Sequence, residues 1–275
     1  MSPAEGRTAG RVTPGTGNRA AWRRVPGLET LIRLLPVRQR VPAACSPGEI
    51  PIPPPPLRER VSGTPDEDVF LNVGKTCADD LAAALSDAGW EMQDFRRVLD
   101  FGCGAGRVLK WFAPLAASCQ FYGTDIDAEA IEWCRRNLPF AKFFPNSDRP
   151  PLPYRRNFFD LVYAVSVFTH LNQHFQWAWL AELHRVMRRG GVLIASLHGR
   201  YDIDQLPGDL AQRTLAVGFM FSTAGQKSDP FPYWYQTAFH TEEYVRTRWT
   251  QHFDVLRHIP RGLNNHQDLV ILKAR

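Results

Sequence analysis

The chain has 275 residues, of which 44% are hydrophobic and 22% are charged, and its formal net charge is +5. This composition excludes a wholly disordered chain, a fibrous repeat and a disulfide-rich miniprotein. No run reaches the roughly 18 consecutive apolar residues of a membrane-spanning helix, and residues 1–11 lack a signal-peptide apolar block, so we predict a cytoplasmic protein. The five cysteines contain no C-x-x-C pair, so we expect reduced thiols and no metal site.

Residues 1–60 differ in composition from the rest of the chain. They contain eleven of the 22 prolines, ten arginines and four glutamates, so they carry +6 and leave −1 for the other 215 residues. Because proline donates no backbone hydrogen bond, we predict a disordered tail, in which residues 28–35 form a short amphipathic segment for weak docking to a membrane surface or a partner. The remaining domain is nearly neutral, so we do not expect nucleic acid as a partner.

Residues 61–275 predict one domain in which helices and strands alternate. A capping-box spacing at Thr76 and Asp79 predicts the first helix. The next strands are predicted at residues 97–101, 120–124, 140–144, 158–165 and 191–197, and the helices between them at residues 106–117, 128–137 and 173–188. The last of these helices is predicted to bury Trp177, Leu180 and His184 on one face. This order is typical of an α/β fold with a doubly wound, mostly parallel sheet.

After Leu197 the alternation is lost and aromatic residues accumulate. We predict an aromatic-rich cover at about residues 199–240, which includes Phe219, Phe221, Phe231, Tyr233, Trp234, Tyr235 and Phe239. Thr241 then caps a helix to about residue 251, and two strands follow at residues 253–259 and 268–273. These two strands are too close in sequence for a parallel crossover, so they should pair antiparallel.

A glycine-rich turn follows the first strand and opens the next helix, which is the geometry of a nucleotide-type cofactor site. It comprises Gly102, Cys103, Gly104 and Gly106, directly after Asp100. The G-x-G-x-G spacing is one residue shorter than the dinucleotide fingerprint, and no lysine follows as in a phosphate-binding Walker loop. A carboxylate at Asp100 would repel a pyrophosphate and attract an ammonium or sulfonium. The turn therefore favours a cationic cofactor, with a nicotinamide oxidoreductase as an alternative.

This segment resembles the first motif of class I S-adenosylmethionine-dependent methyltransferases, an acidic residue followed by G-x-G-x-G. The resemblance covers about residues 70–275. It includes the acidic residue Asp125 at the end of the second strand and a Gly190-Gly191 turn before the fifth strand, where Arg189 replaces the usual proline. The resemblance implies a Rossmann-like, mostly parallel seven-stranded sheet with an antiparallel C-terminal strand, and S-adenosyl-L-methionine as the cofactor.

The same resemblance implies a set of cofactor-binding residues. Asp125 would accept hydrogen bonds from the ribose hydroxyls, a role that also follows from the chemistry of a carboxylate beside a vicinal diol. Asn146, Ser147 and Asp148 form the loop expected beside adenine, and Ser166 leaves the fourth strand toward the methyl donor. The full predicted set is Asp100, Gly102, Cys103, Gly104, Gly106, Asp125, Ile126, Asn146, Ser147, Asp148 and Ser166.

Histidines are the candidates for a general base. His170 lies at the carboxyl end of the fourth strand, where open α/β sheets place reacting groups, and His240 follows the aromatic stretch. His198, which ends the fifth strand, is a third candidate. A purely structural loop role is the alternative for His170, and His184 is predicted to pack on its helix.

We therefore predict a methyltransferase that moves a methyl group to an oxygen of a small hydroxylated acceptor, a glycan or a secondary metabolite, by in-line displacement. Most of the catalysis would come from alignment of donor and acceptor. Two alternatives remain at this point: N-methylation of a small amine, and a catalytically silent protein that binds the cofactor without turnover.

Overall fold

The computed structural model describes residues 45–223 and 235–275. The strands of this part of the chain are β1 (Arg97–Phe101), β2 (Gln120–Asp125), β3 (Ala141–Pro145), β4 (Phe159–Ala164), β5 (Met187–Leu197), β6 (Phe219–Ser222), β7 (Thr237–His240), β8 (Phe253–Leu263) and β9 (Gln267–Ala274). Seven of them form one sheet in the order β3-β2-β1-β4-β5-β9-β8. Strands β1 to β5 are parallel, and β9 runs antiparallel to both β5 and β8. The predicted doubly wound, mostly parallel fold is confirmed.

The α-helices of the described residues are α1 (Pro55–Ser62), α2 (Glu67–Asp87), α3 (Ala128–Asn137), α4 (Gln173–Val186), α5 (Arg200–Ile203), α6 (Gly208–Val217) and α7 (Glu242–Arg248). The predicted start of the first domain helix at Thr76 is wrong. The Asp66 carboxylate accepts a hydrogen bond of 2.8 Å from the Val69 amide and caps α2 there, so Thr76 lies inside the helix. After the glycine turn the chain forms a 3₁₀ helix, Leu109–Ala117, which contains Pro114.

Apolar side chains cover both faces of the sheet because successive strand residues point to opposite sides. Val98 of β1 packs in one cluster with Leu81 of α2. The next residue, Leu99, packs on the opposite face with Trp179 and Leu183 of α4. All five side chains are buried. The helices on both faces leave the carboxyl ends of β1, β2 and β4 as one edge on which loops can gather.

Helix α4 presents a different face to the core from the one predicted. Its buried residues are Phe175, Gln176, Trp179, Leu180, Glu182, Leu183 and Val186. Trp177, predicted to be buried, is 48% exposed. The His184 ring is partly exposed, and its Nε2 lies 3.2 Å from the carbonyl oxygen of Arg275. Leu180 is buried as predicted, but the rest of the buried stripe is shifted around the helix and leaves Trp177 on the surface.

The prediction of an unpacked tail that extends to residue 60 is wrong for the described residues 45–60. Leu57 of α1 and Ile50 are only 2% and 4% exposed. Arg60 forms ion pairs of 2.8 Å with Asp127 and 2.6 Å with Glu129 at the start of α3. The last two residues of the proline run, Pro55 and Pro56, are the first two residues of α1, where a missing N–H costs no helical hydrogen bond. The rest of the predicted tail, including residues 28–35, lies outside the described residues.

The predicted aromatic cover contains a small second sheet. Strands β6 and β7 pair antiparallel, with Phe219 opposite His240. The amide of His240 also donates a hydrogen bond of 2.9 Å to the carbonyl of His198, which attaches this sheet to the end of β5. Of the predicted cover residues, Phe231, Tyr233 and Trp234 lie outside the described residues.

Candidate functional site

The glycine turn after β1 is held against the end of β2. The amides of Gly102 and Cys103 both donate to the carbonyl oxygen of Thr124, at 2.8 and 3.1 Å. Gly104 has a φ of +50°, and a Cβ atom on it would lie 2.7 Å from Cγ2 of Val61 in α1. A side chain at this position would therefore be strained and would meet α1 across the turn.

Asp125 at the end of β2 organises the same turn. One carboxylate oxygen accepts a hydrogen bond of 2.7 Å from the Gly104 amide, and the other accepts one of 2.8 Å from the Asp127 amide. Burial raises the pKa of Asp125 to about 6, and these amide hydrogen bonds oppose that rise. The carboxylate is therefore charged at neutral pH. Asp127 caps α3 through the amides of Glu129 and Ala130, as predicted.

A cavity lies at the carboxyl ends of β1, β2 and β4, and its volume is about 1180 Å³ when the solvent-open space at its entrance is included. It brings together ten of the eleven predicted cofactor residues: Asp100, Gly102, Cys103, Gly104, Asp125, Ile126, Asn146, Ser147, Asp148 and Ser166. Gly106 is not among the residues that line it. A Cβ atom on Gly106 would lie 2.7 Å from Cδ2 of Leu138, so this glycine packs against the core, and the cavity lining does not support its predicted cofactor contact.

Asp100 lies at the inner end of the cavity and is 2% exposed. Its carboxyl accepts a hydrogen bond of 3.0 Å from the Tyr163 hydroxyl. Burial raises the pKa of Asp100 to about 8, an effect that the Tyr163 hydrogen bond opposes and the nearby Asp125 carboxylate increases. The carboxyl is therefore protonated in much of the protein at neutral pH, until a cation binds beside it.

We expect Asp100→Asn to raise the melting temperature of the cofactor-free protein by several degrees at pH 8.5. An acid whose pKa is raised on folding contributes stability that is complete below its unfolded pKa, near 4, and is lost as the pH rises through about 8. Asparagine has no such loss and keeps an acceptor for Tyr163. Thermal unfolding between pH 5 and 8.5 checks this, because the advantage of the variant should grow with pH. A difference between the two proteins that did not change with pH would contradict the raised pKa.

Other residues outside the predicted cofactor set also line the cavity, among them Arg60, Val61, Arg107 and Tyr235. Arg60 and Val61 lie on α1, and Arg60 is the last residue of the predicted tail. Arg107 directly follows the glycine turn, and its Nε is buried with no hydrogen-bond partner among the described residues. A basic residue at the end of such a turn is a signal that could have been used. The cover contains several aromatic residues, and its composition gave no reason to choose Tyr235 among them.

The loops after β3 and β4 complete the polar part of the wall. The Asn146 side chain accepts a hydrogen bond of 2.8 Å from the Thr124 hydroxyl and donates one of 2.7 Å to the Ser147 carbonyl. Ser166 has a φ of +57°. Its amide donates to the Ser196 hydroxyl at 2.7 Å, and its hydroxyl donates to Oε1 of Gln267 at 3.1 Å. Contacts from β5 and β9 therefore hold the turn after β4 in place.

His240, a predicted catalytic base, is fully buried and does not line the cavity. Its Nε2 lies 3.0 Å from Oε1 of Gln176. Burial, with smaller effects of His198 and His258, lowers the pKa of His240 to about 3. The structure therefore contradicts the assignment of His240 as a base that contacts an acceptor.

His170, the other predicted base, lies behind the cavity wall. Its Nδ1 is 2.8 Å from the carbonyl oxygen of Gln236. Its ring stacks on Tyr235, with centroids 4.0 Å apart, and Tyr235 is the residue that lines the cavity. His198, the third candidate, has its ring 6.3 Å from that of His170. The direct contact with an acceptor predicted for His170 does not fit this arrangement, in which His170 supports Tyr235.

Residues 45–223 and 235–275 contain no group of three or more histidine, cysteine, aspartate or glutamate side chains arranged to hold a metal ion. In the same residues, no helix combines the length and the apolar character needed to cross a membrane.

Comparison with known proteins was made by sequence and by fold. Residues 99–195 match the family described as methyltransferase domain. The chain is 34% identical over 124 residues to the fatty-acid O-methyltransferase of Mycolicibacterium smegmatis, a match that covers 44% of each chain. It is 32% identical over 111 residues to the malonyl-[acyl-carrier protein] O-methyltransferase of Legionella pneumophila, covering 38% of this chain and 37% of that protein.

These matches span less than half the length of the two curated relatives. The solved structure of the PH0226 protein from Pyrococcus horikoshii OT3 extends the likeness in fold. It aligns with a TM-score of 0.55 at 15% identity and covers 79% of this chain and 98% of that chain. At this identity the likeness is one of fold alone.

Proposed function

The chain belongs to the class I S-adenosylmethionine-dependent methyltransferase family, and on this premise we propose that it transfers a methyl group from S-adenosylmethionine to an oxygen of a small hydroxylated acceptor. One observation carries the proposal: ten of the predicted cofactor residues line a single cavity at the carboxyl ends of β1, β2 and β4. Open α/β sheets bind their ligands at this edge.

The groups around the cavity match the three parts of S-adenosylmethionine. Asp125 offers a charged carboxylate to the ribose diol, and the Asn146 loop offers polar groups to adenine. The buried, unpartnered Nε of Arg107 suits the carboxylate of the amino-acid end. Asp100 suits the ammonium or the sulfonium, since a nearby cation favours the ionised form of its carboxyl. The chain's own residues therefore fit this cofactor.

The cofactor, when bound, supplies an electrophilic methyl group on a sulfonium. The protein's part is to hold the donor in one orientation and to keep the acceptor in line with it. Ser166, with Val165 and Val167 on either side, lines the cavity at the end of β4. The contacts that fix the Ser166 turn make it suitable for positioning an acceptor. Leu171 and Tyr235 also line the cavity, so the wall suits an acceptor that has an apolar body and a polar reacting group.

Oxygen is the preferred acceptor atom for two reasons. Both curated relatives described above are named O-methyltransferases. In addition, Tyr235 lines the cavity, and burial together with the Asp125 carboxylate raises the pKa of its hydroxyl above the usual value. A phenol that keeps its proton can donate a hydrogen bond to an acceptor oxygen and orient it.

The acceptor atom is tested with S-adenosylmethionine that carries a deuterated methyl group. The purified protein is incubated with pairs of small molecules that differ only in carrying a hydroxyl or carboxyl group or an amine, and products are read by mass spectrometry. We expect label on the oxygen compounds. Label on the amines alone would replace this proposal with N-methylation, and cofactor binding without transfer to any compound would indicate a catalytically silent protein.

We expect Tyr235→Phe to lower turnover by about tenfold and His170→Gln to lower it by less than about threefold, because only Tyr235 lines the cavity. Glutamine keeps a donor for the Gln236 carbonyl. Steady-state rates and cofactor affinity are measured for both variants. Loss of a general base would instead cost roughly 10²- to 10⁴-fold in turnover with unchanged cofactor affinity. Such a loss in His170→Gln would return His170 to the role of base.

A further inference from the structure

A second groove, of about 1090 Å³, lies along the outer face of α4 and is separate from the cofactor cavity. Its walls include His174, Ala178, Ala181 and Arg185 of that helix. These positions are spaced at three or four residues, so they form one stripe that extends about 16 Å along the helix axis. The other wall is the loop at residues 149–156, with His252 at one end.

The charge of this groove is strongly positive. Its lining includes three arginines, Arg149, Arg156 and Arg185, and one residue with a carboxylate, Glu182. Glu182 is already used, because Arg185 donates to its two oxygens at 2.6 and 2.7 Å and the Leu152 amide donates to one of them at 2.6 Å. The side chains of Arg149 and Arg156 are exposed and take part in no ion pair within the described part of the chain. Two arginines are therefore free to receive an anion.

The same contacts make the groove a preformed surface. Arg185 also donates a hydrogen bond of 3.2 Å to the Leu152 carbonyl, so it ties the loop to α4. The guanidinium of Arg149 lies 5.5 Å from the ring centre of Phe175, which orients it over the groove. A partner would therefore meet two oriented cationic side chains, Arg149 and Arg185, which reduces the side-chain ordering that binding requires.

Shape and hydrophobicity favour a protein segment over a small anion. Ala178 and Ala181 form a floor of small residues, which allows another helix to approach closely. Trp177, four residues before Ala181, lies beside this stripe on the surface of α4 and is 48% exposed. Exposed tryptophan and arginine are the residue types that contribute most to protein–protein binding.

We propose that this groove, defined by Arg149, Arg156 and the α4 stripe from His174 to Arg185, docks an acidic helix of a protein partner. Carboxylates on one face of that helix would contact Arg149 and Arg156, and Trp177 would pack at the rim. Charge argues against the chain's own N-terminal region as the occupant, since residues 1–60 carry +6. The arrangement would bring a partner to the enzyme beside the loop that follows Asp148, a cofactor-cavity residue.

The test uses a fluorescent, alanine-rich helical peptide of about 18 residues with glutamates spaced to match the stripe, and a matched peptide with glutamines instead. Fluorescence anisotropy with the full-length protein measures the dissociation constants. We expect Arg149→Glu with Arg156→Glu to weaken binding of the acidic peptide at least about tenfold, and Trp177→Ala about threefold or more. The glutamine peptide should bind at least about tenfold more weakly to the wild type.

The control is Arg136→Glu with Arg213→Glu, which changes the net charge equally at exposed positions on α3 and α6. It should keep most of the affinity, and every variant should bind S-adenosylmethionine like the wild type. The proposal is overturned if the wild type does not bind the acidic peptide, or if control and groove variants weaken it equally. It is also overturned if inorganic pyrophosphate binds with the same dependence on Arg149 and Arg156. A dimer that the groove variant dissociates would instead make a second copy the occupant.

Discussion

Replacement of Asp125 with alanine is expected to weaken S-adenosylmethionine binding by about 1.5 to 3 kcal/mol, or roughly 10- to 150-fold. The variant loses the acceptor that we assign to the ribose hydroxyls. It also frees the amides of Gly104 and Asp127, which now donate to the two carboxylate oxygens at 2.7 and 2.8 Å. Isothermal titration calorimetry at pH 7.5 and above, where Asp125 is charged, gives the dissociation constant.

Asp125→Asn serves as the matched variant, because it keeps one acceptor oxygen for the turn and should lose less affinity than the alanine variant. Melting curves show whether either protein has lost stability as well as affinity. If Asp125→Ala bound the cofactor like the wild type, the ribose would have to lie elsewhere, and our orientation of the cofactor would be incorrect.

A second large effect is expected for Gly104→Val, which should abolish detectable cofactor binding. Valine is strongly disfavoured at a φ of +50°. Its Cβ atom would also lie only 2.7 Å from Cγ2 of Val61, so the two side chains would clash. Either the turn or α1 must move, and both line the cavity. The measurement is the same titration, made on protein whose fold has been checked by circular dichroism.

Gly208→Val is the control for the glycine-to-valine change, since a Cβ atom at Gly208 would have no heavy atom within 4 Å. It should bind the cofactor like the wild type. Gly104→Ala with Val61→Ala removes most of the contact with α1 but keeps the backbone strain, so it should recover only part of the affinity. Normal binding by Gly104→Val would mean that the turn does not approach the cofactor.

The parts of this fold that the sequence predicted well are those in which local pattern and tertiary environment agree. Strand β1 and the glycine turn belong to this group, since an apolar run that ends in Asp100 and three glycines has few other conformations. The antiparallel pairing of β8 with β9 also follows from their short connection, which is too short for a parallel crossover. Because the carboxyl ends of parallel strands meet at one edge of a sheet, Asp125 and the turn residues were also predicted to lie together there.

The misplaced features depend on contacts that local pattern does not contain. In the sequence, helix α1 has the composition of a proline-rich tail. Its burial of Leu57 in the core and its ion pair between Arg60 and the start of α3 are contacts that this composition does not reveal. His170 lies at the predicted strand end and His240 follows the aromatic stretch, but their side chains contact Gln236 and Gln176 and neither residue lines the cavity. Sequence spacing gives the position of a residue along a strand and says little about the direction of its side chain in a loop.

The most direct test of the central claim, that this cavity binds S-adenosylmethionine for methyl transfer, is a calorimetric titration of the full-length protein with S-adenosylmethionine and, under the same conditions, with NADH. The account predicts saturable binding of S-adenosylmethionine at one site per chain and no measurable heat from NADH, because the glycine spacing of the turn is one residue shorter than the dinucleotide fingerprint. Saturable binding of NADH without binding of S-adenosylmethionine would contradict it.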